Sequence, residues 1–122
     1  MLARAVLWGP VGAWMAVIFC VSQMSFPPGG RLLPDWEMHG IVYGILAALL
    51  GRALAGGIRR APLGTLVFAA SLATAYGVTD EWHQMYVPHR ESEVRDVVND
   101  MIGAAIGAAV FGALARLRPV RA

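Results

Sequence analysis

The sequence predicts an all-α integral membrane protein, a four-helix bundle with both termini on the cytoplasmic side. Composition is the first reason: 57% of the 122 residues are hydrophobic and only 15% are charged, too little polar surface for a soluble chain of this size. Patterning is the second. Four apolar stretches, at about residues 5–24, 36–54, 62–86 and 94–117, are separated by short polar breaks. Each is close to the roughly 20 residues that a bilayer-spanning helix needs. Charge is the third. If every stretch crosses, Asp35, Glu37, Asp80, Glu81, Glu91, Glu93, Asp96 and Asp100 share one side with Arg31, Arg90 and Arg95. The other side holds Arg4, Arg52, Arg59, Arg60, Arg116, Arg118 and Arg121 and no acid, so the two sides carry −5 and +7. Arginines beside helix ends mark the cytoplasmic side. A single domain over residues 1–122 accounts for the chain, with no internal repeat and no room for a soluble domain.

The first stretch, Ala5 to Met24, has no charge inside it. Its apolar run exceeds the roughly 7–15 residues of a cleaved signal, and no small-x-small cleavage site follows, so it reads as a retained anchor. Cys20, the only cysteine, excludes an intrachain disulfide and a cysteine metal site. Bulky Phe19 before it argues against a lipoprotein cleavage site, and it reads as a packing residue. Phe26-Pro27-Pro28-Gly29-Gly30 then breaks the helix. Pro34-Asp35 opens the second, with Asp35 as an N-cap. Gly56-Gly57 ends it, and Pro62 suits the first turn of the third. The third stays apolar until Asp80 and ends by Pro88; Ser92 is placed to cap the fourth. Short connections make sequential helices antiparallel neighbours.

Small residues mark the packing faces: Gly40 and Gly44 on the second helix, Ala69, Ala73 and Gly77 on the third, Gly103 and Gly107 on the fourth. Lipid provides no hydrophobic drive between helices, so close backbone approach at such residues is a main source of association. Packing within the chain is the simpler reading; self-association through the same stripes is the alternative.

The polar residues continue these stripes. Asp35, His39 and Tyr43 are spaced by four and share a face; Asp80 and Gln84, and Asp96 and Asp100, do the same. Glu81 and His83 flank Asp80. His39 and Asp100 sit about one turn deeper than Asp35 and Asp96, and ionised groups at such depth are functional candidates. Glu37, Glu91 and Glu93 read as a solvated rim. Asp35 and Asp96 are also favoured by the dipole of a helix's first turn, an explanation that Asp80, Glu81 and Asp100 lack. Arg90, with its planar fork, is the local counter-charge for a carboxylate or a phosphate. The predicted outcome is one cluster of Asp35, His39, Tyr43, Asp80, Glu81, His83, Gln84, Arg90, Asp96 and Asp100 near the outer boundary.

A pI near 9.2 does not point to nucleic acid, because the arginines lie where membrane topology puts them. No HExxH or EF-hand pattern is present; Asp80-x-x-His83 is a weak pair, and neither a metal nor a cofactor is expected.

The run Asp80-Glu81-Trp82-His83-Gln84-Met85-Tyr86-Val87-Pro88-His89-Arg90, followed by Asp96, Asp100, Gly103 and Gly107, resembles the VanZ-like family of small bacterial membrane proteins. Asp35…His39…Tyr43 resembles the family's upstream element, and Ser22 stands where it has a serine near the end of the first helix. His89 stands where the family usually has Gly, and Trp36 where a Lys often follows the Asp. The resemblance implies a multi-pass protein of the bacterial plasma membrane. The family is named for a component linked to resistance to teicoplanin, a glycopeptide acting on cell-wall precursors outside the membrane.

Two functions of different class follow. In the first, a non-enzymatic pocket near the outer leaflet binds a membrane-lipid headgroup, a cell-wall precursor or a lipoglycopeptide, with Arg90 on a phosphate or carboxylate. In the second, a small intramembrane enzyme acts on a lipid-linked substrate, with Asp80 and His83 as acid–base candidates. The first is preferred, since no nucleophile elbow, metal motif or phosphate loop is present.

Overall fold

A computed structural model describes residues 1–25 and 35–119, excluding the side chains of Asp35 and Trp36. The Pro-Pro-Gly-Gly break, Arg31, Pro34 and Arg121 lie outside the described residues. Those described form four α-helices and no strand: α1 (Leu2–Ser22), α2 (Asp35–Leu54), α3 (Leu63–Gln84) and α4 (Val94–Arg116). Gly56 and Gly57 end α2 with φ of +73° and +130°, backbone that glycine adopts without a Cβ penalty. Pro62, extended with ψ 155°, precedes α3.

Three of the four helices contain a segment long and apolar enough to cross a membrane: Leu2–Ser22, Glu37–Leu54 and Val94–Arg116. The fourth expected span, α3, falls short of that measure. It is long enough at 22 residues, but its last turns carry Asp80, Glu81, His83 and Gln84. Hydroxyls lower its apolarity further, and those of Ser71, Thr74 and Thr79 each donate to a carbonyl of the preceding turn. Its outward face remains apolar, with Val67, Phe68 and Val78 exposed.

The glycines fix how the helices meet. α2 and α4 run parallel, Gly40 and Gly44 against Gly103 and Gly107. A Cβ built on Gly103 would lie 2.5 Å from the Gly40 Cα, and one on Gly107 would lie 2.6 Å from the Gly44 Cα. Gly40 itself faces open space, so the pair is tight from the α4 side only. α3 packs antiparallel on α4, where a Cβ at Gly77 would meet Asp100 Oδ2 at 2.7 Å and one at Gly112 would meet Leu66 Cδ1 at 2.6 Å. Leu46, Ala47, Ala69, Ala73 and Ala104 fill the centre at zero exposure.

α1 packs on α2 and α3 and does not reach α4. Side-chain bonds to its backbone, or from its side chains to a neighbour's, hold it. Trp14 Nε1 donates to the Val42 carbonyl at 3.0 Å, and the Tyr76 hydroxyl to that of Met15 at 2.8 Å. Pro10 lies inside α1 and has no N–H, which leaves the carbonyl four residues earlier, at Val6, without its helical donor. Arg52 Nη1 fills that place at 3.1 Å. Arg52 is in the last turn of α2, so the helices are antiparallel. The acids at the starts of α2 and α4 and the end of α3 therefore share one end of the bundle, and Arg52, Arg60 and Arg116 share the other.

The α3–α4 connection makes a tight turn. The Arg90 N–H donates to the Val87 carbonyl at 3.2 Å, Pro88 is second in the turn, and His89, third, has φ +62°. That is the pattern of a type II turn, whose third position favours glycine. His89→Gly is expected to preserve the fold. His89→Val, β-branched in left-handed backbone, should destabilise the purified protein by about 1–2 kcal/mol in thermal unfolding. Equal melting of the two variants would mean that the turn does not hold this φ.

Candidate functional site

Adjacent residues on a helix point about 100° apart. Asp80 and Glu81 are both buried near the end of α3, at 7% and 3% exposure, so they face different neighbours and build two polar centres.

Asp80 turns toward α1 and α2. Its Oδ2 accepts from the Tyr43 hydroxyl at 2.8 Å and from Gln84 Nε2 at 3.2 Å, and its Oδ1 accepts from the Ser22 hydroxyl. The Ser22 oxygen also lies 2.8 Å from the Ile18 carbonyl; its one proton serves one acceptor at a time, and a carboxylate is the stronger. Asp80 thus ties α1, α2 and α3 together.

Glu81 turns toward α2 and α4. His39 Nδ1 lies 2.7 Å from Asp100 Oδ1, and His39 Nε2 lies 3.8 Å from Glu81 Oε1. Asp100 has no exposure at all. Ser92 donates to Glu81 Oε2 at 3.1 Å, so it holds Glu81 instead of capping α4; the residue before α4 is Glu93, which makes no side-chain cap bond. Glu81 Oε1 and Asp100 Oδ2 are buried with no hydrogen-bond partner. Asp96 completes this centre: one donor atom each from His39, Glu81 and Asp96 fall within 4.8 Å of one another. Spacing along one helix could not reveal this set, whose members come from three helices. The ring of His39 lies nearly parallel to that of Tyr43, 12° between planes and 6.4 Å between centroids, which joins the two centres.

Gly77→Ala tests how closely α3 sets this geometry. Its Cβ would strike the Asp100 carboxylate, so the His39–Asp100 bond should break and the melting temperature should fall. An alanine variant with wild-type melting and an unchanged His39 NMR signal would show that Asp100 has room to move.

Not every expected member converges. His83 stacks on Phe19, with centroids 5.1 Å apart and planes 22° apart, and its Nδ1 is buried without a partner. No hydrogen bond or ion pair joins it to Asp80 among the described residues. Arg90 makes no ion pair with an acid among the described residues; Nη1 donates to the Met24 carbonyl at 3.3 Å, at the end of α1. The Asp35 side chain lies outside the described residues.

Between α1, α2 and α3 lies a cavity of about 100 Å³. Trp14, Val17, Ile18, Val21 and Val42 give it apolar walls; Ser22, His39, Tyr43, Asp80 and Gln84 give it a polar side, with Arg90 also on its lining. Such a site suits an amphiphile: a polar group meets fixed donors and acceptors while an apolar chain lies along the helices.

A family model described as VanZ/LLP1 matches residues 6–115 of this chain. No curated protein and no solved structure matches it.

Proposed function

This chain belongs to the VanZ/LLP1 family, and from that membership we propose a non-enzymatic role in the bacterial cell envelope. In this reading all four helices cross the plasma membrane, both termini are cytoplasmic, and the acidic end faces outward. Its cavity binds the polar head of a lipid, a cell-wall precursor or a lipoglycopeptide. The carrying observation is the cavity itself, with apolar walls on α1 and α2, a polar side centred on Asp80, and Arg90 among its lining residues. Its volume fits a phosphate-sized head and not a whole molecule. Arg90 supplies the cation, and the two-pronged guanidinium distinguishes it from a lysine.

Two measurements test this. Purified protein in nanodiscs is titrated with a fluorescent long-chain prenyl phosphate and with teicoplanin. Saturable binding weakened about tenfold or more by Arg90→Lys supports the reading; no binding of either ligand overturns it. In cells, a deletion strain should differ from its parent in envelope-precursor profile or teicoplanin susceptibility. Orientation is checked separately: a reporter active only outside the cytoplasm, fused after Ala122, should be silent.

One observation favours the enzymatic alternative. The buried His39–Asp100 pair beside Glu81 has the form of an oriented acid–base group, which the Asp80–His83 pair does not. Turnover of a lipid-linked substrate, lost in His39→Gln with binding retained, would move the assignment there.

A further inference from the structure

We propose that His39, Glu81 and Asp96 form a binding site for one divalent transition-metal cation, with Asp100 as the residue that orients the imidazole. This goes beyond the pocket reading and does not depend on it. Four observations converge. One donor atom from each of the three residues lies within 4.8 Å of the others, all three are buried, and they come from α2, α3 and α4. His39 Nδ1 is held by Asp100 Oδ1 at 2.7 Å. An ionised carboxylate only accepts, so Nδ1 carries the hydrogen, and in the neutral ring the lone pair is then at Nε2. That lone pair is on the Glu81 side, 3.8 Å from Oε1. Carboxylate–histidine pairs of this kind are the usual outer support of a histidine metal ligand. Finally, Glu81 is 3% exposed and its Oε1 has no hydrogen-bond partner, although Ser92 holds its other oxygen.

Charge and distance agree with an ion. Glu81 is a buried carboxylate with one oxygen free of hydrogen bonds, in a place where charge is expensive, and a divalent cation offsets it. Bonds of about 2.0–2.1 Å at tetrahedral or wider angles separate two donors by about 3.3–3.6 Å, so only a small inward movement is needed. One imidazole with two carboxylates suits zinc, cobalt or manganese better than calcium, which takes six or more oxygens. Three protein ligands leave a position open for water or for an oxygen of a bound phosphate.

The test uses the full chain, purified in detergent, stripped with a chelator and titrated with Co²⁺ and then Zn²⁺. One Co²⁺ per chain is expected, with ligand-field absorption bands that Zn²⁺ abolishes, and Zn²⁺ should raise the melting temperature. Glu81→Gln should weaken binding about tenfold or more, and Asp100→Asn, acting through His39, should also weaken it about tenfold. Exposed Glu91 is the control, and Glu91→Gln should bind as the wild type does. Asp96→Asn carries the same expectation as Glu81→Gln if the latter does not fold. A folded, monodisperse wild type that takes up no Co²⁺ overturns the proposal, as does undiminished binding by both Glu81→Gln and Asp96→Asn. The ion alone is the probe. A protein that binds metal but no prenyl phosphate or teicoplanin therefore defeats the pocket reading and upholds this one.

Discussion

Replacing Gly107 with alanine should strongly impair folding, whereas the same change at Gly40 should pass almost unnoticed. The two glycines sit on facing helices and look equivalent in sequence. A Cβ on Gly107 would enter the Gly44 backbone, 2.6 Å from its Cα, where no side chain can rotate away. α2 and α4 would have to separate along their whole contact, at a cost of about 3 kcal/mol or more. A Cβ on Gly40 meets nothing within 4 Å and gains helix propensity. Thermal unfolding and size-exclusion profiles of the two purified variants decide this. Gly107→Ala melting with the wild type would show that the helices are not in backbone contact.

Asp80→Ala should be the most damaging polar substitution. It removes the acceptor of the Tyr43, Gln84 and Ser22 bonds in one step; Ser22 turns to the Ile18 carbonyl, and the Tyr43 and Gln84 donors are left buried. At about 1 kcal/mol or more for each donor left unpaired, the loss is about 2 kcal/mol or more. Tyr43→Phe and Ser22→Ala, which remove donors and leave the acceptor other partners, should each cost about 1 kcal/mol. Double-mutant cycles measure the coupling. If Asp80→Ala loses no more stability than Tyr43→Phe, Asp80 is not the junction of α1, α2 and α3.

The helices were legible because apolar length and Gly-Pro punctuation are local properties. The glycine pairs were legible as stripes, but the one-sidedness of Gly40 and Gly103 was not: the two differ only in which backbone stands over which Cα. At the site, periodicity placed His39, Tyr43, Asp80 and Asp100 on inward faces. It did not separate Asp80 from Glu81, since the division depends on where α1 and α4 stand around α3. Ser92 was misread because its partner Glu81 is across the α3–α4 connection. Arg90 was assigned to acids by charge alone; its actual partner, the Met24 carbonyl, is a backbone atom that no residue type announces. The same blindness hid the bonds of Trp14, Arg52 and Tyr76.

The Arg52–Val6 bond bears on biogenesis. Proline in a helix leaves a turn without its amide donor, and the freed carbonyl needs another. Here the substitute donor belongs to the next helix, so α1 finds its missing bond only when α2 lies beside it. The two segments are in this sense an obligatory hairpin, and α1 alone is an unfinished helix. Arg52 is also a positive charge flanking a span, the kind of residue that biases orientation during insertion. Its long side chain also helps to fix how far the two arms slide past each other.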